Sequence, residues 1–402
     1  DEYDHFTNEL FAFNTEHFKE IVSRNGWVRK FYEVIKQFMG AGLIDRFFAT
    51  GVTPVTLDSM TSGFNVARNI SLDPDFNEMA GFTEDELKGL ITNTIYTDGK
   101  FDLELVLQDM RSWYNGSKFS PDTATKLYNP QMVISFLSEF GKNFSYPREM
   151  ADINVTSDYK KIANILRFLP KEDSDEIISS VLNRQEIAER LTLQFNFELP
   201  YTKTSAVSLL CYNGLLTIER EQLGLFTYTI PNYVIKQMYW EYFRHIYTTD
   251  NNLKFDNTSI DLSIIEMSEK SSIAGLVQYV QSVMQKLSNR DLENFSEKHL
   301  KMIFMTMLMG SNAYFVKSEE ETGSGYVDLI LRRTRLNPGK SDFLIELKYV
   351  KKKELKNLET IKQKGIEQAL RYRESLNREE SANFKAFVVV YYNKLQFEVV
   401  EV

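Results

Sequence analysis

Two acidic residues and a lysine interrupt two apolar segments near the carboxyl end of the chain. Asp328 lies within Tyr326–Arg332, and Glu346 and Lys348 lie within Asp342–Tyr349. Side chains alternate along a strand, so Glu346 and Lys348 share one face. A carboxylate inside an apolar strand is costly to bury unless it is paired or binds a metal. The pattern therefore indicates a chemical site rather than ordinary core.

The turn signals at 337–339 predict that these two segments are antiparallel neighbours, which would bring Asp328 close to Glu346. Two carboxylates at that spacing favour a hard divalent cation such as Mg²⁺, with water and a substrate phosphate completing its shell. Such an ion polarises a phosphodiester and lowers the pKa of bound water. Lys348 would position that water or stabilise charge on the phosphorus.

A predicted helix that follows carries polar side chains in one row. Lys364, Gln368 and Tyr372 are four residues apart, so they lie on the same helical face. An amide and a phenol orient water or phosphate without competing for the metal. This row predicts a second layer of the same site.

Positive charge is concentrated in the same region. The segment Lys348–Arg378 carries ten Lys or Arg and four Glu, a net charge of +6 in a chain of net charge −9. A local basic face beside an acidic pair is what binding to a phosphate backbone requires. The competing interpretation is a salt bridge among strand residues next to a solvated lysine run.

The elements around these residues predict a compact mixed sheet with helices packed against it. The expected order is helix, three strands, helix and two strands. Their predicted ranges are Ser296–Met309, Ala313–Lys317, Tyr326–Arg332, Asp342–Tyr349, Glu359–Leu376, Phe384–Tyr392 and Leu395–Val400.

Three of these features resemble the PD-(D/E)XK nuclease superfamily. They are the Asp328 strand, Glu346-Leu347-Lys348 and Gln368-Ala369-Leu370-Arg371-Tyr372, which resembles the QxxxY element of recombination exonucleases; Val327 stands where the family name has proline. The resemblance implies a restriction-endonuclease-like fold for 291–402. It also implies that Asp328 and Glu346 bind Mg²⁺ or Mn²⁺, that Lys348 is catalytic, and that Gln368 and Tyr372 support it.

Members of that superfamily often carry another acid or a histidine on the first helix. Glu297 is the candidate here, because it lies on the stripe of Leu300, Phe304 and Met307. The alternatives are His299 and the acids Glu319, Glu320 and Glu321. A simpler explanation for Glu297 is that acidic charge in a first helical turn favours the helix dipole.

The amino-terminal part resembles the AAA-ATPase-like domain that commonly precedes nuclease domains of this type. Asp1-Glu2-Tyr3-Asp4 and Thr50-Gly51-Val52-Thr53 begin the match, which implies a Walker B position for Asp1, a water-activating position for Glu2 and a sensor position for Thr50. Further matching segments are Ser62–Asn65, Phe82–Glu86, Trp113–Gly116, Tyr128–Pro130 and Gly214–Thr217.

A nucleotide-binding P-loop is the feature that this resemblance lacks. Its pattern, G-x-x-x-x-G-K-[ST], is approached only at Gly339-Lys340-Ser341, where Thr334 occupies the first glycine position. We therefore expect ATP binding only if a P-loop lies upstream, and the expected fold is an AAA-like P-loop remnant.

Apolar periodicity predicts a helix over Phe18–Phe38, a buried strand over Arg46–Val52 and a helix capped at Thr83. Between 158 and 250, helices followed by a hairpin resemble a winged-helix module, with a helical packing domain as the alternative. The expected domains are 1–150 (AAA-like), 151–250 (winged-helix-like), 251–290 (helical linker) and 291–402 (nuclease).

Composition restricts the function classes further. The chain has 402 residues and one cysteine, Cys211, which excludes an internal disulfide and favours a reducing compartment such as the cytoplasm. The longest apolar stretch is only strand-sized, so we expect no membrane span. The chain is acidic overall, so any contact with nucleic acid must be local.

These features together predict a metal-dependent nuclease, acting on DNA rather than RNA and coupled to an AAA-ATPase-like regulatory domain. One alternative is a nucleotide-regulated binding or scaffold protein with an inactive nuclease fold, and another is a pure interaction protein. A homo-oligomer is one assembly state that the sequence leaves open.

Overall fold

The computed structural model describes residues 2–4, 26–52, 54, 68–96, 99–151, 159–195, 200–250, 254–286, 295–322, 325–375, 383–392 and 396–402. Its chain forms two compact units, one of Asp1–Phe144 with Ala151–Tyr239 and one of Ser145–Met150 with Trp240–Val402. The domain boundaries expected at 150, 250 and 290 stay predictions. In the described part of the chain, no helix is both long enough and apolar enough to span a bilayer.

The first unit is mostly helical and carries two small sheets. Strands β1 and β2 form a two-stranded sheet, and β3, β5 and β4 form an antiparallel sheet in that order. Its elements are α1 Trp27–Gly40, α2 Glu84–Thr94, α3 Leu103–Tyr114, β1 Asn115–Ser117, β2 Leu127–Tyr128, α4 Pro130–Asn143, α5 Tyr159–Leu166, α6 Lys171–Ser179, β3 Glu186–Glu189, α7 Lys203–Tyr212, β4 Thr217–Gln222, β5 Leu225–Thr229 and the first part of α8 Tyr233–Asp250.

The second unit is built on a five-stranded mixed sheet of order β10-β9-β8-β7-β6. Only β8 and β9 are parallel, and helix α12 makes the crossover between them, as a parallel pair requires. Its elements are α9 Asn257–Lys270, α10 Ala274–Lys286, α11 Glu297–Leu308, β6 Tyr314–Thr322, β7 Gly325–Arg333, β8 Asp342–Val350, α12 Leu358–Ser375, β9 Phe384–Tyr392 and β10 Gln396–Glu401. The mixed sheet flanked by helices is confirmed.

Helices cover both faces of this sheet. On one face, Ala369 and Tyr372 of α12 belong to a buried cluster with Leu344 and Val388. On the other face, the Phe304 ring of α11 lies 6.5 Å from the ring of Tyr391. The even-numbered positions of β7 and β8, which include Asp328, Glu346 and Lys348, therefore belong to the face that α12 covers.

One sequence prediction about local structure was wrong. Residues 46–52 were expected to form a buried strand, but they form none, and the side chains of Phe48 and Val52 are exposed rather than packed in a core. Contacts of this segment include a hydrogen bond from Tyr3 N to Thr50 O at 2.9 Å and one from Val52 N to the Asp4 carboxylate at 3.1 Å. Within 251–290, expected to be a helical linker, the described residues form helices α9 and α10. The buried positions of α9 recur at helical spacing; they are Ile260, Ser263, Ile264 and Met267.

The turn between β7 and β8 is fixed by Asn337. This buried side chain accepts from Gly339 N at 2.8 Å and from Ser268 Oγ at 2.5 Å, and it donates to Ala313 O at 3.1 Å. The turn sets the register of the two strands that carry the acidic pair.

Replacement of Asn337 by alanine should destabilise the second unit by about 2–3 kcal/mol, because buried donors and acceptors lose their partners. Lys340→Ala, at an exposed position of the same turn, should change the free energy of unfolding by less than about 0.5 kcal/mol. Urea denaturation followed by circular dichroism measures both variants. Equal losses for the two would show that Asn337 does not fix the turn.

Candidate active site

Strands β7 and β8 separate at the position of the acidic pair. Their pairing ends at Leu329–Ile345, and one further step in this register places Asp328 opposite Glu346. There the backbone N–H of Leu347 donates to Asp328 Oδ2 at 2.9 Å. The Asp328 carboxylate thus takes the hydrogen bond that a strand carbonyl would otherwise accept, and the sheet opens beside it.

Glu346 and Lys348 form an ion pair inside this opening. Lys348 Nζ lies 2.6 Å from Glu346 Oε1, and only 2% of Glu346 is exposed. The second carboxylate oxygen, Glu346 Oε2, is buried and accepts no hydrogen bond from any described residue. A buried carboxylate oxygen without a partner is costly, so this atom is available to a ligand.

Burial makes negative charge at this site unfavourable. Burial, and then the charge of nearby Asp328, raises the pKa of Glu346 to about 7 against the lowering effect of Lys348. The pKa of Asp328 is also raised, first by burial, despite the Leu347 hydrogen bond and two lysines. The site is therefore arranged to receive positive charge.

Glu297, in the first turn of α11, lies at the same site. Its Oε1 is 3.7 Å from Lys348 Nζ, and burial raises its pKa. The other first-helix candidate, His299, has a different environment. Its Nδ1 lies 2.9 Å from Ser296 Oγ, and burial together with Lys298 and Lys351 lowers its pKa.

A second lysine of the site was missed by the sequence analysis. Lys301 is 7% exposed and forms an ion pair with Glu319, and it lowers the pKa of Asp328. Glu319 is the residue of β6 opposite Asp328 in the register, and its φ of +55° interrupts the ladder there. The signal was present in the sequence, because Lys301 follows Glu297 by four residues on the same helical face.

Helix α12 places Gln368 and Tyr372 beside the carboxylates. The pKa of Tyr372 is raised by burial and then by the charges of Glu346 and Asp328, and the nearby Gln368 side chain lowers it in part. The phenol of Tyr372 therefore stays protonated at neutral pH. Lys364, expected in the same row, is exposed.

The nucleotide-site residues expected in the first unit are only partly described. Asp1 lies outside the described residues. Glu2 is exposed and has a φ of +49°, and the Thr50 carbonyl accepts from the backbone of Tyr3, which follows Glu2. The roles expected of Asp1, Glu2 and Thr50 stay predictions.

In the winged-helix-like part of the first unit, helix α7 is buried and two basic side chains are held in ion pairs. Residues 206–210 of α7 are all buried, which is typical of a helix that packs on every side. Lys203 pairs with Glu176 at 2.7 Å, and Arg220 pairs with Glu186 at 3.2 Å. The winged-helix-like and the helical packing interpretations both stay predictions.

The residues present fit a divalent cation. Among the described residues, no three His, Cys, Asp or Glu side chains are arranged to hold a metal ion. Asp328 and Glu346 nevertheless offer two carboxylates with an unpartnered oxygen between strands. Mg²⁺ commonly takes one or two protein carboxylates and completes its shell with water and phosphate.

Comparison with protein families agrees with both sequence resemblances. Residues 295–401 match the PD-(D/E)XK nuclease superfamily, and residues 1–61 match a family described as predicted AAA-ATPase. A search of curated proteins gives no match. The first match covers every described site residue of the second unit.

Stability should depend on pH through Glu346. Because its folded pKa is about 7 and its ordinary value is 4.5, the unfolded chain ionises first, and stability falls as pH rises from about 4.5 through 7. Glu346→Gln removes this loss. Its free energy of unfolding relative to the unsubstituted protein should rise by on the order of 3 kcal/mol between pH 5 and pH 8 in metal-free buffer.

Urea denaturation of both proteins across that pH range measures the difference. Glu374→Gln, an exposed position near the end of α12, is the matched control and should give no such slope. The burial argument would be contradicted if the difference in free energy of unfolding between Glu346→Gln and the unsubstituted protein did not change with pH.

Proposed function

We propose that the chain is a metal-dependent nuclease that hydrolyses phosphodiester bonds in DNA. The observation that carries this proposal is the convergence of Asp328, Glu346 and Lys348 at the opening between β7 and β8, where Glu346 Oε2 has no partner. The match of residues 295–401 to the nuclease superfamily supports the same reaction class.

Asp328 and Glu346 would hold the cation, Mg²⁺ or Mn²⁺. When bound, it polarises the phosphodiester and lowers the pKa of the attacking water. Because both carboxylates must be ionised to bind a metal, the raised pKa of Glu346 implies that metal affinity increases with pH through neutrality. Glu297, at the edge of the same site, is proposed as a helper acid.

Lys348 acts as a charged donor in this proposal. Burial lowers its pKa, but Glu346, Glu297 and Asp328 together raise that pKa above the ordinary value, so the ammonium keeps its protons at neutral pH. It is therefore suited to donate hydrogen bonds to a phosphate oxygen and to stabilise the charge that develops there. It is not suited to abstract a proton from water while these acids surround it.

Gln368 and Tyr372 have a supporting role. Each can donate to a phosphate oxygen or to the attacking water, and burial restricts the side chain of Tyr372, of which 4% is exposed. Tyr372 stays a donor because its pKa is raised. A restricted donor loses less entropy on binding than a free one, which favours correct placement of the scissile bond.

Surface charge supports a nucleic-acid substrate. Lys352, Lys353 and Lys356 are exposed on the turn that directly follows β8, and Lys364 and Arg371 are exposed on α12. Positive charge next to an acidic metal site attracts the phosphate backbone and lets the scissile phosphate approach. The similarity of 368–372 to the element of recombination exonucleases supports DNA as the substrate.

The first unit is proposed to regulate the nuclease. The support is the match of residues 1–61 to the predicted AAA-ATPase family. The given sequence contains no complete P-loop pattern, so ATP turnover is not assigned to these residues. A nucleotide-regulated scaffold with an inactive nuclease fold is the rival function.

Asp328→Ala and Lys348→Ala should each lower Mg²⁺-dependent cleavage of DNA at least about 100-fold, because each removes a group that touches the metal or the phosphate. Cleavage of linear, circular and single-stranded DNA, and of RNA, is followed on gels with Mg²⁺ titrated from zero. Circular dichroism checks that both variants stay folded. Lys270→Ala, an exposed lysine at the end of α9, is the matched control and should cleave within about twofold of the unsubstituted protein.

Undiminished cleavage by both active-site variants would refute the assignment. Nucleotide binding by the unsubstituted protein, with no cleavage of any DNA or RNA form, would favour the scaffold function instead.

A further inference from the structure

Helix α12 approaches the sheet most closely at Gly365. A methyl group added at this glycine would lie 2.9 Å from Val388 Cγ1, 3.4 Å from Lys348 Cγ and 3.5 Å from Lys348 Cε. Gly365 itself is buried. A side chain therefore cannot be added here unless the helix or the valine moves, whereas the two distances to Lys348 are those of ordinary contact.

Val388 is the least able of these to move. It is fully buried and β-branched, it lies beside Glu346 in the parallel register of β8 and β9, and it packs with Leu344 and Val390. Moving it would disturb the strand that supports the acidic pair. A new methyl group would instead lift α12 from the sheet and from the stem of Lys348.

The stem of Lys348 lies directly below Gly365. Its Cγ and Cε face the position where a methyl group would stand, and its Nζ ends 2.6 Å from Glu346 and 3.7 Å from Glu297. A free lysine side chain samples many rotamers. Contact between the helix and two points along the stem restricts that freedom and directs the ammonium toward the carboxylates.

The same stretch of α12 carries the other two polar groups of the site. Gln368 and Tyr372 follow Gly365 by three and seven residues, so all three lie on one helical face. The distance between α12 and the sheet at Gly365 thus determines where the stem of Lys348 lies. It also determines how far the Gln368 amide and the Tyr372 phenol lie from that stem.

We propose that Gly365 is a positioning residue of the active site: because it has no side chain, α12 lies on the stem of Lys348 and holds the ammonium, Gln368 and Tyr372 in place around the scissile phosphate. This inference rests on the proposed nuclease function. Gly365 touches no substrate and acts only through Lys348 and the helix.

The test is Gly365→Ala in the full chain. It should lower kcat for DNA cleavage about 10- to 100-fold, as expected when a catalytic group is misplaced by about 1 Å. KM for DNA and the Mg²⁺ concentration at half-maximal rate should change less than about threefold, because Asp328, Glu346 and the basic surface remain. A purely structural role would lower the fraction of folded protein without lowering kcat per folded molecule.

A compensating substitution makes the test specific. Val388→Ala removes the methyl group that the new side chain would meet at 2.9 Å, so the double variant G365A/V388A should recover kcat to within about threefold of Val388→Ala alone. If Gly365→Ala does not fold, the comparison of the double variant with Val388→Ala tests the inference by itself. Gly89→Ala is the matched control, because this glycine of α2 has open space around it, and its kcat should be unchanged.

The position of Lys348 can also be tested without measuring catalysis. Its reactivity toward an amine-acetylating reagent, measured by mass spectrometry in metal-free protein, should rise at least about threefold in Gly365→Ala and return in the double variant, because an ammonium displaced from the carboxylates is more accessible and loses its proton more readily. If the unsubstituted protein cleaves nothing but this pattern holds, the proposed function fails and the positioning role stands. Unchanged kcat and unchanged Lys348 reactivity in folded Gly365→Ala, or a double variant more than tenfold slower than Val388→Ala, would overturn the inference.

Discussion

The second unit is organised around negative charge that is kept away from water. Asp328 and Glu346 face each other where two strands of a buried sheet part, and one carboxylate oxygen has no partner among the described residues. Burying charge is expensive, and a single lysine offsets only part of the cost. The part of this cost that the lysine does not offset raises the pKa of both acids. A site of this kind weakens the fold, and its unsatisfied carboxylates attract positive charge.

The surrounding architecture follows from the need to hold these groups rigidly. Strands β7 and β8 are joined by a turn whose polar atoms are tied to Asn337, and the parallel pair β8 and β9 gives the sheet a crossover helix. That helix supplies Gln368 and Tyr372 and covers the stem of Lys348. The first turn of α11 contributes Glu297, and Lys301 in its second turn pairs with Glu319. Side chains from five elements thus surround one small site.

Much of this arrangement could be read from sequence because it rests on local periodicity. Alternation along β7 and β8 placed the acids and the lysine on one face, and the four-residue spacing of Gln368 and Tyr372 placed them together on a helix. The helix start at Thr83 could equally be predicted from sequence, since both hydrogen bonds of its capping box join Thr83 and Glu86, which are three residues apart.

What sequence could not supply depended on distant partners. The lysine that pairs with Glu319 is set by how α11 lies along the sheet, and the importance of Gly365 appears only where α12 meets Val388. Residues 46–52 were predicted as a buried strand from their apolar content, but Phe48 and Val52 are exposed, because apolar content alone does not determine which residues pack together. In each case tertiary packing decided what local pattern left open.

The central proposal is that Asp328 and Glu346 together bind one divalent cation beside Lys348. Crystals of the full chain grown with Mn²⁺, and diffraction data collected at the manganese absorption edge, test it most directly. We expect an anomalous peak within bonding distance of both carboxylates, and no peak there in Asp328→Ala. Mn²⁺ bound only elsewhere, or none at a concentration that supports cleavage, would contradict it.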